Sequence, residues 1–99
     1  MLRYKRNIVL DICDYDKNIV CPLYDSTSDI QGQAANVVKM TERNGWKQLS
    51  FTIPSACLDE NGQWVDNYRL EFLKADYRIR AKEWSGDDDD EPTIDWFLL

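Results

Sequence analysis

Apolar and polar residues alternate in step along much of this chain. In NIVLDIC, Ile8, Leu10 and Ile12 fall on one face of an extended strand and Val9, Asp11 and Cys13 on the other. DYDKN then supplies the Asp and Asn that turns favour, and IVCPLY resumes the strand, which predicts a β-hairpin. Pro22 has no amide donor, so the second strand either ends there or lies at a sheet edge. The polar stretch DSTSDIQGQAAN shows no apolar period and reads as a surface loop, long for a compact domain.

A second hairpin is predicted in VVKMTERNGWKQLSFTIP. Asn44-Gly45 favours the positive φ angles of a type I′ turn, and on the return Leu49, Phe51 and Ile53 alternate with Gln48, Ser50 and Thr52 until Pro54 stops the strand. In SACLDENGQWVDNYRLEFLKADY, a turn at Glu60-Asn61-Gly62 precedes Trp64, Tyr68 and Phe72, spaced by four with Val65 beside Trp64. That spacing predicts a short helix whose aromatic face plugs the end of a β core. In YRIRAKEW, Tyr77, Ile79 and Ala81 alternate with Arg78, Arg80 and Lys82. In TIDWFLL, Ile94, Trp96 and Leu98 oppose Asp95, Phe97 and Leu99, and SGDDDDEP joins the two strands into a third hairpin.

Six strands in sequential hairpins with one short helix make the expected fold mainly β. A small antiparallel barrel or a two-sheet sandwich closes such hairpins most economically. With 99 residues the chain has material for one core, so residues 1–99 are expected to form a single β-rich domain.

Charge narrows the partners. Twelve basic against 18 acidic residues leave a net charge of -6, whose field repels phosphate backbones and anionic lipid, so neither direct nucleic-acid binding nor membrane binding is expected. Arg3, Lys5 and Arg6 precede NIVLDIC as in a signal peptide, but Asp11 and Asp14 cut the apolar run short. Cys13, Cys21 and Cys57 are odd in number, lack CxxC spacing and have apolar neighbours, which predicts reduced, half-buried thiols and assembly in a cytosol.

Catalytic chemistry has little to work with. Without histidine there is no Ser-His-Asp or Cys-His pair and no HExxH zinc helix. A carboxylate pair such as Asp66 and Glu71 carries no specificity among so many acids. The glycines are isolated, so no phosphate loop exists, and no cofactor is expected. In the acidic run, adjacent side chains diverge and Gly86 precedes them, unlike a calcium loop that spaces its ligands and bends at a glycine, so no metal site is expected.

One strand face remains. Arg78, Arg80 and Lys82 line it; a nucleic-acid reader would interleave aromatics there, whereas Tyr77 and Trp84 are assigned to the opposite, apolar parity. The face is expected to be solvated and paired with carboxylates such as Asp95 on the neighbouring strand, or to dock an acidic partner. The candidate interface residues are therefore Arg78, Arg80 and Lys82, with Asp87, Asp88, Asp89 and Asp90 of the loop beside them.

The segments NIVLDICDYDKNIVCPLYD, GWKQLSFTIP, ADYRIRAKE and DWFLL, in that order and spacing, resemble the N-terminal domain of phage and prophage tail-hub proteins. These are the tail-associated lysin or tail-endopeptidase type found in Gram-positive hosts. The resemblance spans nearly the whole chain and rests on strand and turn residues, none of them catalytic; SGDDDDEP is longer and more acidic than the family's usual turn. It implies a β-barrel-like baseplate-hub domain, non-enzymatic and structural, in a virion tail assembled in the bacterial cytoplasm. Its implied partners are the distal tail protein and further copies of itself as a trimer of the full-length protein. The apolar ending at Leu98 and Leu99 fits the N-terminal part of a longer tail protein. Two alternatives stand beside it: a free-standing β-rich adaptor whose exposed edge strand pairs with a peptide, on the strength of Pro22 and the long loop at Asp25 to Asn36, and the anchoring domain of a cell-wall hydrolase whose catalytic part lies outside this chain.

Overall fold

The computed structural model describes residues 7–28, 30–41, 45, 47–84 and 91–99. They contain β1 (Asn7–Cys13), β2 (Ile19–Asp25), β3 (Ala35–Thr41), β4 (Lys47–Thr52), β5 (Ala56–Leu58), β6 (Trp64–Asp66), β7 (Arg78–Trp84) and β8 (Thr93–Leu98). A 3-10 helix, Tyr68–Phe72, precedes β7. All pairing is antiparallel: a four-stranded sheet in the order β2-β1-β7-β8 and two-stranded sheets β3-β4 and β5-β6. The mainly β expectation holds, whereas no sheet among the described residues closes into a barrel. Among the described residues four pairs of consecutive strands form hairpins rather than three.

Strand parity sets the core. Ile8, Leu10 and Ile12 of β1 pair in register with Glu83, Ala81 and Ile79 of β7, and these continue to Thr93, Asp95 and Phe97 of β8. Registered partners share a face, so one side of the four-stranded sheet carries Leu10, Ile12, Ile79 and Ala81, all essentially without solvent exposure. Cys21, Leu23 and Ala34 complete this cluster, and Val37, Leu49, Phe51, Ile53, Phe72, Leu73 and Phe97 pack against it. The β3-β4 hairpin thus covers the inner face of the larger sheet, with its Val38 and Met40 turned to solvent.

Two turns share one construction. In DYDKN the Asp14 carboxylate accepts the amides of Asp16 and Asn18 at 2.9 and 3.0 Å, and Lys17 adopts φ +65°. In DENGQ the Asp59 carboxylate accepts from Asn61 and Gln63 at 2.8 and 2.9 Å, and Gly62 takes the equivalent place at φ +76°. An Asp at the first position mimics a backbone turn and fixes each hairpin's register.

The second of these turns corrects the predicted helix. Ala56, Cys57 and Leu58 pair with Asp66, Val65 and Trp64, so Trp64 and Val65 lie in a strand and Trp64 is 73% exposed rather than a core plug. Only the later part of the spacing is helical. Asn67 caps the 3-10 helix by accepting the Arg69 amide at 3.2 Å, and Phe72 reaches the core while Tyr68 stays half exposed.

The long segment after β2 departs from a surface loop as well. Gly32 and Ala34 are buried, and the Ala34 amide donates to the Leu23 carbonyl at 3.0 Å. The segment runs along β2 and seals that edge of the sheet. Glu42, Asn44 and Trp46 of the second hairpin lie outside the described residues, while Gly45 has φ +86° as the turn requires.

Candidate interaction surface

On the outer face of the four-stranded sheet, β7 presents Arg78, Arg80, Lys82 and Trp84. Registration places Asn7, Val9, Asp11 and Cys13 beside them on one side, and Ile94, Trp96 and Leu98 on the other. Trp84 therefore shares the basic face, contrary to its expected assignment, because an even step separates it from Lys82. Asp95 lies on the inner face and cannot pair with the β7 cations, which corrects the second expectation.

The three cations have separate roles. Arg80 Nη2 donates to the Asp11 carboxylate at 2.9 Å, a pair 19% and 12% exposed, with Arg80 Nε buried and unpartnered among the described residues. Arg78 Nη1 donates to the Tyr15 carbonyl at 2.8 Å and ties the β1-β2 turn across the sheet. That turn also sets the Tyr15 ring edge-on to Tyr77, with centroids 5.0 Å apart, and the Lys17 ammonium 5.0 Å over Trp96. Lys82 has no ion-pair partner among the described residues. The loop residues Asp87, Asp88, Asp89 and Asp90 lie outside the described residues.

Sequence reasoning missed the inner-face ion cluster. Lys39 from β3 pairs with Asp95 and stands 3.8 Å from Glu83, while Lys47 from β4 reaches Asp95 at 3.5 Å and lies 5.8 Å over the Phe97 ring. The Lys39 hydrogen bond holds the Asp95 carboxyl below its ordinary pKa, against the opposing effect of burial. The cluster joins the two layers beyond the end of the apolar core.

A second polar assembly is buried. Arg69, 2% exposed, has no carboxylate partner among the described residues and donates instead to carbonyls: Nε to Pro22 at 3.0 Å and Nη1 to Gln31 at 3.1 Å. Asn67 donates to the Gly32 and Pro54 carbonyls at 2.7 and 2.8 Å. Together they lock β2, the segment after it and the 3-10 helix. Cys13, Cys21 and Cys57 are free and buried; burial pushes the Cys13 and Cys21 thiols up, with Arg80 and Arg69 respectively pulling the other way. Among the described residues no three acids or thiols converge on a metal-sized site.

The two edges of the sheet are treated differently. On β2, Pro22 offers no amide, its carbonyl is taken by Arg69, the Leu23 carbonyl by Ala34, and the Asp25 amide by the Gln33 side chain at 3.1 Å. On β8, the Leu99 amide donates to Tyr77 at 2.8 Å, which sets the alternation of the ladder. Asp95 and Phe97 exchange bonds with β7, whereas the amides and carbonyls of Ile94, Trp96 and Leu98 point away from it. No described residue caps them.

No protein family, characterised protein or solved structure matches this chain.

Proposed function

We propose that this chain is a non-enzymatic structural domain of a phage or prophage tail tip, a baseplate-hub domain that assembles with neighbouring tail subunits. The observation that carries the reading is the β8 edge, which no described residue caps while the β2 edge of the same sheet is closed, joined to the segments that resemble tail-hub proteins. A structural subunit needs interaction surface more than it needs a pocket with tuned acids. The groups with shifted pKa here are accounted for by burial, by the Thr27 turn hydrogen bonds at Asp25, or by the Lys39 pair. Gene order tests the reading: a tape-measure gene and a distal-tail gene immediately upstream are expected. Mass spectrometry of purified particles from the encoding phage or induced prophage should detect the chain. Particles that lack it, with no tail genes adjacent, would refute the proposal.

The same β8 edge favours a second reading, an adaptor that takes a peptide by strand addition. Particles lacking the chain would leave that reading standing.

A further inference from the structure

We infer that β8 is a strand-addition site for an extended segment of a partner protein in which apolar and acidic residues alternate. The inference rests on the structural-subunit reading for the partner's biological setting, but its geometry stands independently of it.

Open edges are normally blunted by proline, lysine, bulges or covering loops. β2 is closed by Pro22, Arg69 and the segment reaching Ala34. In the smaller sheet, β3 carries a bulge between Ala35 and Val38, and Gln48, Ser50 and Thr52 alternate along β4. β8 reads TIDWFL, with neither proline nor bulge, and its side chains at the outward-pointing positions are apolar: Ile94 is 48% and Leu98 68% exposed. Its inward acid, Asp95, would ordinarily deter pairing, but Lys39 and Lys47 neutralise it.

Charge selects the occupant. Lys82 is registered with Ile94 and Lys17 sits over Trp96, so two lysines flank the edge on its outer face. An added strand would run roughly 4.8 Å beyond β8. On the outer face its acidic side chains would meet Lys82 and Lys17, and on the inner face its apolar side chains would pack beside Phe97. A second copy's β8 suits the site less well: its one acid is turned inward and already paired, leaving Lys82 and Lys17 without anions.

The test is residue-resolved amide hydrogen exchange by NMR on this chain, alone and with capped synthetic peptides alternating valine with glutamate or valine with lysine. In the free protein the Ile94, Trp96 and Leu98 amides should exchange faster than those of Asp95 and Phe97. The valine-glutamate peptide should protect those three amides and bind about tenfold more tightly than the lysine version. Joint K17E and K82E substitution should reverse that preference. Leu98→Pro, which removes an outward amide at a position 68% exposed, should abolish the protection with the circular dichroism spectrum unchanged; Ile94→Pro, at the other end of the edge and 48% exposed, is the second variant and should do the same. Equal affinity for both peptides, or no protection by either, would overturn the inference. Protection that grows with protein concentration, without peptide, would instead assign the edge to a second copy. Particle composition is unaffected by any of these outcomes, so this inference and the tail-tip reading fail separately.

Discussion

Replacing Arg69 by Met tests what holds the covered side of the sheet. The substitution keeps an unbranched apolar stem but removes the donors that reach the Pro22 and Gln31 carbonyls at 3.0 and 3.1 Å. A fully buried carbonyl left unpaired costs about 1–3 kcal/mol; these bonds are part-buried and Cys21 Sγ also donates to the Pro22 carbonyl, so the two together give about 2–4 kcal/mol before relief is counted. Relief comes from no longer burying a guanidinium that has no carboxylate partner among the described residues. Three acceptors and the Tyr68 ring, 4.8 Å from the guanidinium carbon, already offset much of that desolvation. The expected net loss is therefore about 1–3 kcal/mol, a sizeable share of the roughly 5–15 kcal/mol that stabilises a native domain.

Equilibrium urea unfolding, followed by far-ultraviolet circular dichroism and tryptophan fluorescence, reads this directly. The midpoint should fall with an unchanged slope, and thermal melting should fall by about 5 °C or more. Arg69→Lys separates charge from geometry: one ammonium cannot reproduce the planar fork that spans β2 and the following segment, so Lys should lose at least as much as Met. A loss below about 1 kcal/mol for Met at constant slope, or full rescue by Lys, would refute the clamp.

Gly32→Ala should destabilise by about 1–3 kcal/mol in the same urea assay, because φ is +80° and a Cβ would lie 2.9 Å from Arg69 Nη1 and 3.1 Å from Cys57 Sγ; combined with Arg69→Met the two losses should not add. Asp95 has a lowered folded-state pKa, so its contribution is present above the unfolded carboxylate value, roughly 3.9, and is lost as pH falls through the lower folded value. Asp95→Asn should cost about 1–2 kcal/mol at pH 7 and flatten the stability profile below about pH 4; an unchanged acid limb would count against the Lys39 pair. The thiols, 0%, 2% and 7% exposed, should resist a disulfide reagent in the folded protein and react together across the urea transition; rapid native labelling of Cys57 would contradict its burial.

Period-two alternation made the sheet legible because it is a local rule. It assigned Ile8, Leu10 and Ile12 to one face and Ile79 and Ala81 to another, and registration stacks those faces. Pro22 announced an edge for the same reason, since a missing donor is visible from sequence. Trp84 was misassigned although the rule that places it was available. Trp64, Tyr68 and Phe72 misled because a four-residue aromatic spacing also fits a three-residue strand, an Asn67 cap and a 3-10 turn; the Asp59 to Gln63 turn signal was the better guide. The Arg69 clamp was not legible: its bond to Pro22 spans 47 residues, and no local pattern distinguishes a buried arginine from a solvated one.

The charge distribution bears on what an open edge on this molecule can do. A net charge of -6 would steer an acidic partner away at long range, which opposes the occupant inferred for β8 only if charge is treated as uniform. At about 0.15 M salt the whole-molecule field decays over roughly 8 Å, whereas Lys17 stands 5.0 Å from the Trp96 ring and Lys82 is registered with Ile94. Repulsion therefore acts mainly on encounter, and the lysines act on the docked strand. Nonspecific edge pairing is slowed by the first, and a strand with acids at the right spacing is retained by the second. An apolar edge that no described residue covers can then persist without inviting general aggregation, because the selectivity for charge inferred for it restricts what pairs there.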